Sequence, residues 1–297
     1  MKILFVSFFV VSTLFSNLLE FRFGDKKREG MIEILDVKHL DFKRFEENEF
    51  LELSDLAYKD GTLYILSDKG VLFSFDADIN NDHIQRLQFL KTNKLRDKKG
   101  KELKVSKSDA EGLSFLGNEL LISFERKHRV ELFSIDGQKL KKLVIHKELQ
   151  DKKAYRKKNK GLEAVVYSKT YGVLTLPELS LNIYPRKTHL LYSKDHTWEF
   201  PASGNVSSIE MLDEHSVLVL EKQANFFSRR WIITLSSLNL INSQHKILAE
   251  FDTRDGWNLD NFEGLSKVGE NSYLMISDDN DSFFQKTLLV LFRVVKD

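Results

Sequence analysis

Apolar positions along this chain fall in short continuous runs, among them Thr62–Leu66, Leu120–Phe124, Val217–Leu220 and Tyr273–Ile276, all rich in β-branched and large apolar side chains. That is strand chemistry. Each run is bracketed by acids, and the bracketing repeats. Ser54-Asp55-Leu56-Ala57 precedes Leu66-Ser67-Asp68, and Glu111-Gly112-Leu113 precedes Ser123-Phe124-Glu125. Leu162-Glu163-Ala164 precedes Leu176-Pro177-Glu178, Ser208-Ile209-Glu210 precedes Val219-Leu220-Glu221, and Glu263-Gly264-Leu265 precedes Ile276-Ser277-Asp278. Successive first acids (55, 111, 163, 210, 263) are 56, 52, 47 and 53 residues apart, the period of a four-stranded propeller blade. If the two strands of each unit fold back on each other, the midpoint of each acid pair falls on a turn. The midpoints are Asp60-Gly61, Asn118 beside Gly117, Thr170-Tyr171 beside Gly172, Glu214-His215, and Glu270-Asn271 after Gly269. All but Glu214-His215 carry turn chemistry.

The pattern therefore predicts an all-β fold, a single β-propeller of four-stranded blades. Five blades follow, or six if two units are merged near residues 168–205. The last unit is one strand short, because only Thr287–Val295 follows Asp278, and Met31–Val37 is placed to close the ring as its outer strand. No Pro/Gly/Ser-rich linker divides the chain, so residues 31–297 read as one domain. Ahead of it, Met1-Lys2 leads into Ile3–Leu19, 17 residues without charge. A single lysine before such a run predicts a signal peptide over residues 1–19 and a periplasmic or secreted protein. The length also reaches the lower edge of a membrane span, which leaves an uncleaved anchor as the alternative. There is no A-x-A site, and Ser16 or Asn17 is the acceptable cleavage position.

Composition removes several function classes. Apolar residues are 42% and charged residues 30% of 297, enough to fill a core. Lys+Arg number 45 against 44 Asp+Glu, without the basic excess of a nucleic-acid binder. The absence of cysteine excludes disulfides, thiolate zinc, iron–sulfur clusters and a cysteine nucleophile. The eight histidines show no HExxH or HxH pairing, and there is no GxSxG elbow, Walker loop or GxGxxG, which disfavours zinc hydrolases and covalent serine catalysis.

The acids themselves are the candidate chemistry. A blade's first strand starts at the face where its second strand ends, so both acids of every unit are expected at one mouth of the channel. Such a ring must be neutralised by cations, basic side chains or backbone amides. Hard oxygen donors suit Ca²⁺ better than zinc. The competing reading is that these acids accept amides of neighbouring blades and clasp the ring. Asp278-Asp279-Asn280-Asp281 is the densest donor tract, and a solvated turn is its other reading. Bases follow three of the acids, at Lys69, Arg126 and Lys222, where they can hold an anion or form local ion pairs. Two basic loops, Lys91–Lys107 with eight Lys/Arg against two acids and Lys147–Lys160 with seven against two, run into the acid motifs. They are either solvated or an anion-collecting rim.

Taken together, Asp109-Ala110-Glu111-Gly112-Leu113, Phe124-Glu125-Arg126, Lys160-Gly161-Leu162-Glu163, Leu220-Glu221-Lys222, Asn261-Phe262-Glu263-Gly264-Leu265 and Ser277-Asp278-Asp279-Asn280 resemble the phytase-like ("esterase-like activity of phytase") domain family over about residues 50–295. The resemblance implies an exported propeller and calcium-assisted phosphoester hydrolysis. Ala164 and Pro177-Glu178 depart from the pattern and put the third blade's part in doubt. The candidate metal ligands are Asp55, Asp68, Glu111, Glu125, Glu163, Glu210, Glu221, Glu263, Asp278 and Asp279, with Ca²⁺ as cofactor. The candidate substrate-binding residues are Lys69, Arg126 and Lys222, and no catalytic residue is assigned. The expected ligand is an anionic small molecule, phosphorylated in the enzyme reading, bound by a monomer that takes neither nucleic acid nor, after signal removal, membrane. The alternative is a non-catalytic propeller that holds a ligand or protein at the same mouth, and a lactonase-type hydrolase is a third reading.

Overall fold

The computed structural model describes residues 18–104, 108–157, 159–225, 228–282 and 284–295. The expected signal peptide lies outside them except for Leu18 and Leu19. Among the described residues no helix is long and apolar enough to cross a membrane.

Five antiparallel four-stranded sheets form a five-bladed propeller. Blade 1 is Leu53–Lys59, Thr62–Ser67, Val71–Asn80 and His83–Lys94. Blade 2 is Ala110–Leu116, Glu119–Phe124, Arg129–Phe133 and Lys139–Lys142. Blade 3 is Leu162–Ser168, Gly172–Pro177, Thr188–Tyr192 and Thr197–Pro201. Blade 4 is Asn205–Met211, Ser216–Asn225, Arg230–Asn239 and His245–Asp252. Blade 5 takes Asn261–Lys267, Ser272–Asp278 and Leu288–Val294 from the C-terminus and Ile32–Leu40 from the N-terminus. The closing register pairs Val290 with Val37, so the N-terminal strand closes the ring as its sequence suggested. A short strand, Leu18–Glu20, adds to the outer edge of that strand. Just after it, Phe23 is buried against Phe251, Trp257 and Phe262.

The continuous apolar runs follow from this architecture. Side chains alternate across a strand, and each blade is covered on both faces. Val217 and Val219 therefore pack toward blade 3 while Leu218 and Leu220 pack toward blade 5. Leu120 and Ile122 face blade 1, and Leu121 faces blade 3. The buried apolar residues accordingly group into one cluster at each blade-to-blade interface.

The first strand of every blade lines the axis, where neighbouring first strands contact one another. Each of these strands carries a β-bulge at its entry: between Leu53 and Asp55, Ala110 and Leu113, Leu162 and Ala164, Val206 and Ser208, and Phe262 and Gly264. A bulge adds a residue and re-aims its side chain. The bulged residues are Ser54, Glu111, Glu163, Ser207 and Glu263. At Asp60-Gly61 both turn residues have positive φ, 49° and 79°, as the tightest hairpin turn requires.

A candidate metal centre in the axial cavity

The five bulges define one ring, and the end of the second strand defines another. Register pairs Ser67, Phe124, Pro177, Glu221 and Ser277 with the residue just before each bulge. The next residue outward is then Asp68, Glu125, Glu178, Lys222 or Asp278. These five, together with Ser54, Glu111, Glu163 and Glu263 of the bulge ring, line a cavity of about 240 Å³ on the axis, joined by Glu52, Leu53, Lys160 and Asn280. Eight carboxylates thus face two ammonium groups.

Asp55 lies one residue deeper than its supposed equivalents and is fully buried. Its Oδ2 accepts Leu113 N at 2.7 Å, and its Oδ1 accepts Leu56 N at 2.9 Å, Leu265 N at 3.1 Å and the Ser208 hydroxyl at 3.2 Å. One carboxylate therefore ties blades 1, 2, 4 and 5 together across the axis. Glu210 accepts Met211 N at 2.7 Å and Lys267 N at 3.2 Å. Glu221 accepts Ser203 N and Gly204 N at 2.8 and 3.0 Å and sits beside His189. None of the three lines the cavity; their partners are those of clasps. Their displacement has a single cause. Blades 1 and 4 carry Ser54 and Ser207 at the bulge, so the nearest acids in sequence, Asp55 and Glu210, belong to other positions. Likewise Lys222, not Glu221, occupies the second-ring position of blade 4.

Of the remaining candidates, Asp68, Glu111, Glu125, Glu163, Glu263, Asp278 and Lys222 come together in the cavity. Asp279 does not; it faces a neighbouring hollow with His39 and Lys286, and Asn280 takes the cavity position. Lys69 pairs with Glu52 at 2.6 Å and Arg126 with Asp109 at 2.8 Å, and neither base lines the cavity. The sequence reading missed Glu52, Asp109 and Lys160 and left Glu178 doubtful. A signal was present, because Glu52, Asp109, Asn205 and Asn261 all stand two residues before a bulge. Asn205 donates to Glu178 and Asn261 to Glu263, both at 2.6 Å. Among the described residues of the two basic loops, only Lys160 reaches the cavity, where it pairs with Glu178 at 2.7 Å.

Crowded buried acids hold their protons. Burial raises Glu111 well above the usual carboxylate range, and Glu125, Asp109 and Glu263 add to the effect. Burial, then Glu178 and Glu111, does the same for Glu163. Burial, with repulsion from Asp109, takes Glu125 to about 7; burial takes Asp278 to about 7, and burial with Glu52 takes Asp68 to about 6. Burial opposes the charge on Lys222, yet Glu263, with which it is paired, and Glu163 keep its ammonium above the ordinary value.

A divalent cation fits this environment. Oxygens of Asp109, Glu111 and Glu125 lie within 4.8 Å of one another, as do those of Glu125, Glu163 and Glu178, and Glu125 is common to both sets. Asp68 Oδ1 is buried at the cavity without a hydrogen-bond partner among the described residues. All donors are hard oxygens, which suits calcium.

Fold and site together define a five-bladed propeller with an acid-lined axial cup. The chain belongs to the phytase-like family (esterase-like activity of phytase), whose profile matches residues 48–281. No curated protein matches it. Among solved structures, the glutaminyl cyclase of Myxococcus xanthus is similar at 10% identity over 89% of this chain and 97% of its own, with a TM-score of 0.49. The computationally designed Ika4 protein is similar at 13% identity over 69% of this chain and 95% of its own, with a TM-score of 0.31. A chain of the mitotic checkpoint complex is similar at 11% identity and TM-score 0.40, over 82% of this chain and 62% of that one.

Proposed function

We propose that this protein is a calcium-assisted hydrolase of phosphorylated small molecules, working in the axial cup of an exported phytase-like propeller. One observation carries the reading: eight carboxylates and two lysines converge on one small cavity, with two three-carboxylate sets meeting at Glu125. Asp109, Glu111, Glu125, Glu163 and Glu178 would hold the metal. Calcium bound there would polarise a phosphoryl oxygen and acidify a water. The chain's own groups supply the rest. Lys160 and Lys222 hold positive charge at the cavity wall, where they steady an anion. Export rests on the uncharged run Ile3–Leu19 behind Lys2.

Both lining lysines are already engaged, by Glu178 and Glu263, and this favours a second reading in which the cup binds calcium as a non-catalytic scaffold. Calcium titration followed by melting, then phosphate release from a phosphoester panel, separates the two. Calcium at 100-fold excess over Kd should stabilise the parent by about 2.7 kcal/mol, and Glu125→Gln should lose most of that gain together with phosphate release. A parent melting temperature indifferent to calcium refutes the metal centre. A calcium response without release of phosphate from any ester selects the scaffold.

A further inference from the structure

A second cavity of about 300 Å³ opens beside the axial cup, between blades 4 and 5. It differs in chemistry from its neighbour. Ala224, Trp231, Leu259 and Phe284 give it an apolar wall, and Arg229 and Gln285 add planar polar groups. Phe284 is 79% exposed, although a large apolar ring on a loop gains by being covered. The Arg229 guanidinium lies 4.8 Å over that ring. Arg229 itself has φ +50°, a conformation that side-chain-bearing residues seldom adopt without cause. The floor is fixed: Asp260 accepts Gln285 Nε2 at 3.0 Å and Lys286 N at 2.7 Å, which anchors the loop that carries Phe284.

The same two chain segments line both cavities. On the second strand of blade 4, Lys222 faces the axial cup and Ala224 the lateral cavity. After the second strand of blade 5, Asn280 faces the cup, and Phe284 and Gln285 face the lateral cavity. Two residues along a strand rise about 7 Å, a span that suits a phosphate and a ring carried on one small molecule. The lateral volume is ample for a ring, since a cavity of about 150 Å³ holds benzene. Aromatic faces and a guanidinium plane are what a planar ring stacks on.

The geometry points to a ring-binding subsite: the substrate is a phosphate monoester or related phosphoryl compound carrying an aromatic ring, with the phosphoryl group in the axial cup and the ring against Phe284, Arg229 and Trp231. This rests on the hydrolase reading and narrows its substrate class.

Two non-hydrolysable probes test it by calorimetry on the full mature chain with calcium present: 3-phenylpropylphosphonate, whose extended chain sets ring and phosphorus about 7 Å apart as the two cavities require, and propylphosphonate. Stacking should make 3-phenylpropylphosphonate bind about tenfold more tightly or better than propylphosphonate. Phe284→Ala and Arg229→Ala should each bring the two affinities to within about threefold, and a melting curve confirms that both variants are folded. Phe284 projects to solvent, so its truncation leaves the core intact. Equal affinities in the parent, or a phenyl preference that survives both substitutions, overturn the subsite and leave the axial reading standing. Binding of neither phosphonate overturns the axial phosphoryl site and the subsite with it.

Discussion

Asp278→Asn should stabilise the calcium-free protein at alkaline pH and do much less at acid pH. Asp278 is 5% exposed. Its Oδ1 accepts Leu53 N at 3.0 Å, a bond that an asparagine oxygen can keep. Burial, reinforced by Glu263 and Asp279, lifts its carboxyl from 3.8 to about 7. Because the folded state binds this proton more tightly than the unfolded state, stability is complete below about 3.8. It falls as pH rises and is fully lost above about 7. At about 1.36 kcal/mol for each tenfold change in proton affinity, the two pH units between 5 and 7 carry roughly 2–3 kcal/mol. The asparagine variant has no such dependence at this site. Urea denaturation in EDTA should therefore show the variant gaining about 2–3 kcal/mol more over the parent at pH 8 than at pH 5. Calcium should shrink the difference, since a metal relieves in the parent what the substitution relieves by removing charge. A variant destabilised equally at both pH values would show that Asp278 acts only as an amide clasp, and the electrostatic account of the cup would be wrong.

Asp55→Ala removes the acceptor shared by four donors from four blades across the axis, leaving Leu265 N only its 3.2 Å bond to the Ser208 hydroxyl, and should cost about 3–5 kcal/mol in chemical denaturation whether or not calcium is present. Gly264→Ala should cost about 1–3 kcal/mol, because the new Cβ would sit 2.7 Å from Asp55 Oδ1 and 2.8 Å from Asp55 Cα; a neutral result would mean that blades 1 and 5 can part without penalty. On the proposal of export, the mature protein should begin near residue 20, and an intact mass that includes Met1 would contradict a cleaved leader.

Blade number, hairpins and ring closure could all be read from the chain, since they rest on period, turn residues and apolar runs. The acids were harder. Glu111, Glu163 and Glu263 announce themselves by the Gly or Ala that follows, and the reason is steric: a Cβ on Gly112 would meet Ser123 Oγ at 2.5 Å and Glu163 O at 2.7 Å. In blades 1 and 4 the equivalent bulge residue is serine, so the motif is silent and the eye moves to Asp55 and Glu210. A shift of one residue sends a strand side chain elsewhere, and that shift alone separates Glu221, buried by His189, from Lys222 in the cup. Sequence spacing near 50 cannot resolve a displacement of one. Lys160 escaped because a run of seven bases over fourteen residues gives no sign of which one turns inward.

The sequence posed clasp and metal ligand as alternatives, and the second ring puts a clasp contact and a cavity-lining position on the same side chain. Asp278 accepts Leu53 N of blade 1 while lining the cup, and Glu125 accepts Gly161 N of blade 3 at 3.4 Å while belonging to both three-carboxylate sets. Glu178 reaches Asn205 of blade 4 while meeting Lys160. A carboxylate has two oxygens and about four acceptor sites, so one contact can fix its position against the next blade while others remain for a cation. Such fixing is what a metal centre needs, because ligands already held by the scaffold lose little freedom on binding. It also couples the two functions. Neutralising the ring from within should tighten every blade junction that a lining acid spans, at blades 5–1, 2–3 and 3–4. Hydrogen exchange at Leu53 N and Gly161 N should therefore slow when calcium is added, whereas the Asp55 amide partners Leu113 and Leu265, held by a carboxylate outside the cup, should change far less. Equal slowing at all four amides would mean that calcium stabilises the propeller globally and that the lining acids do not transmit it.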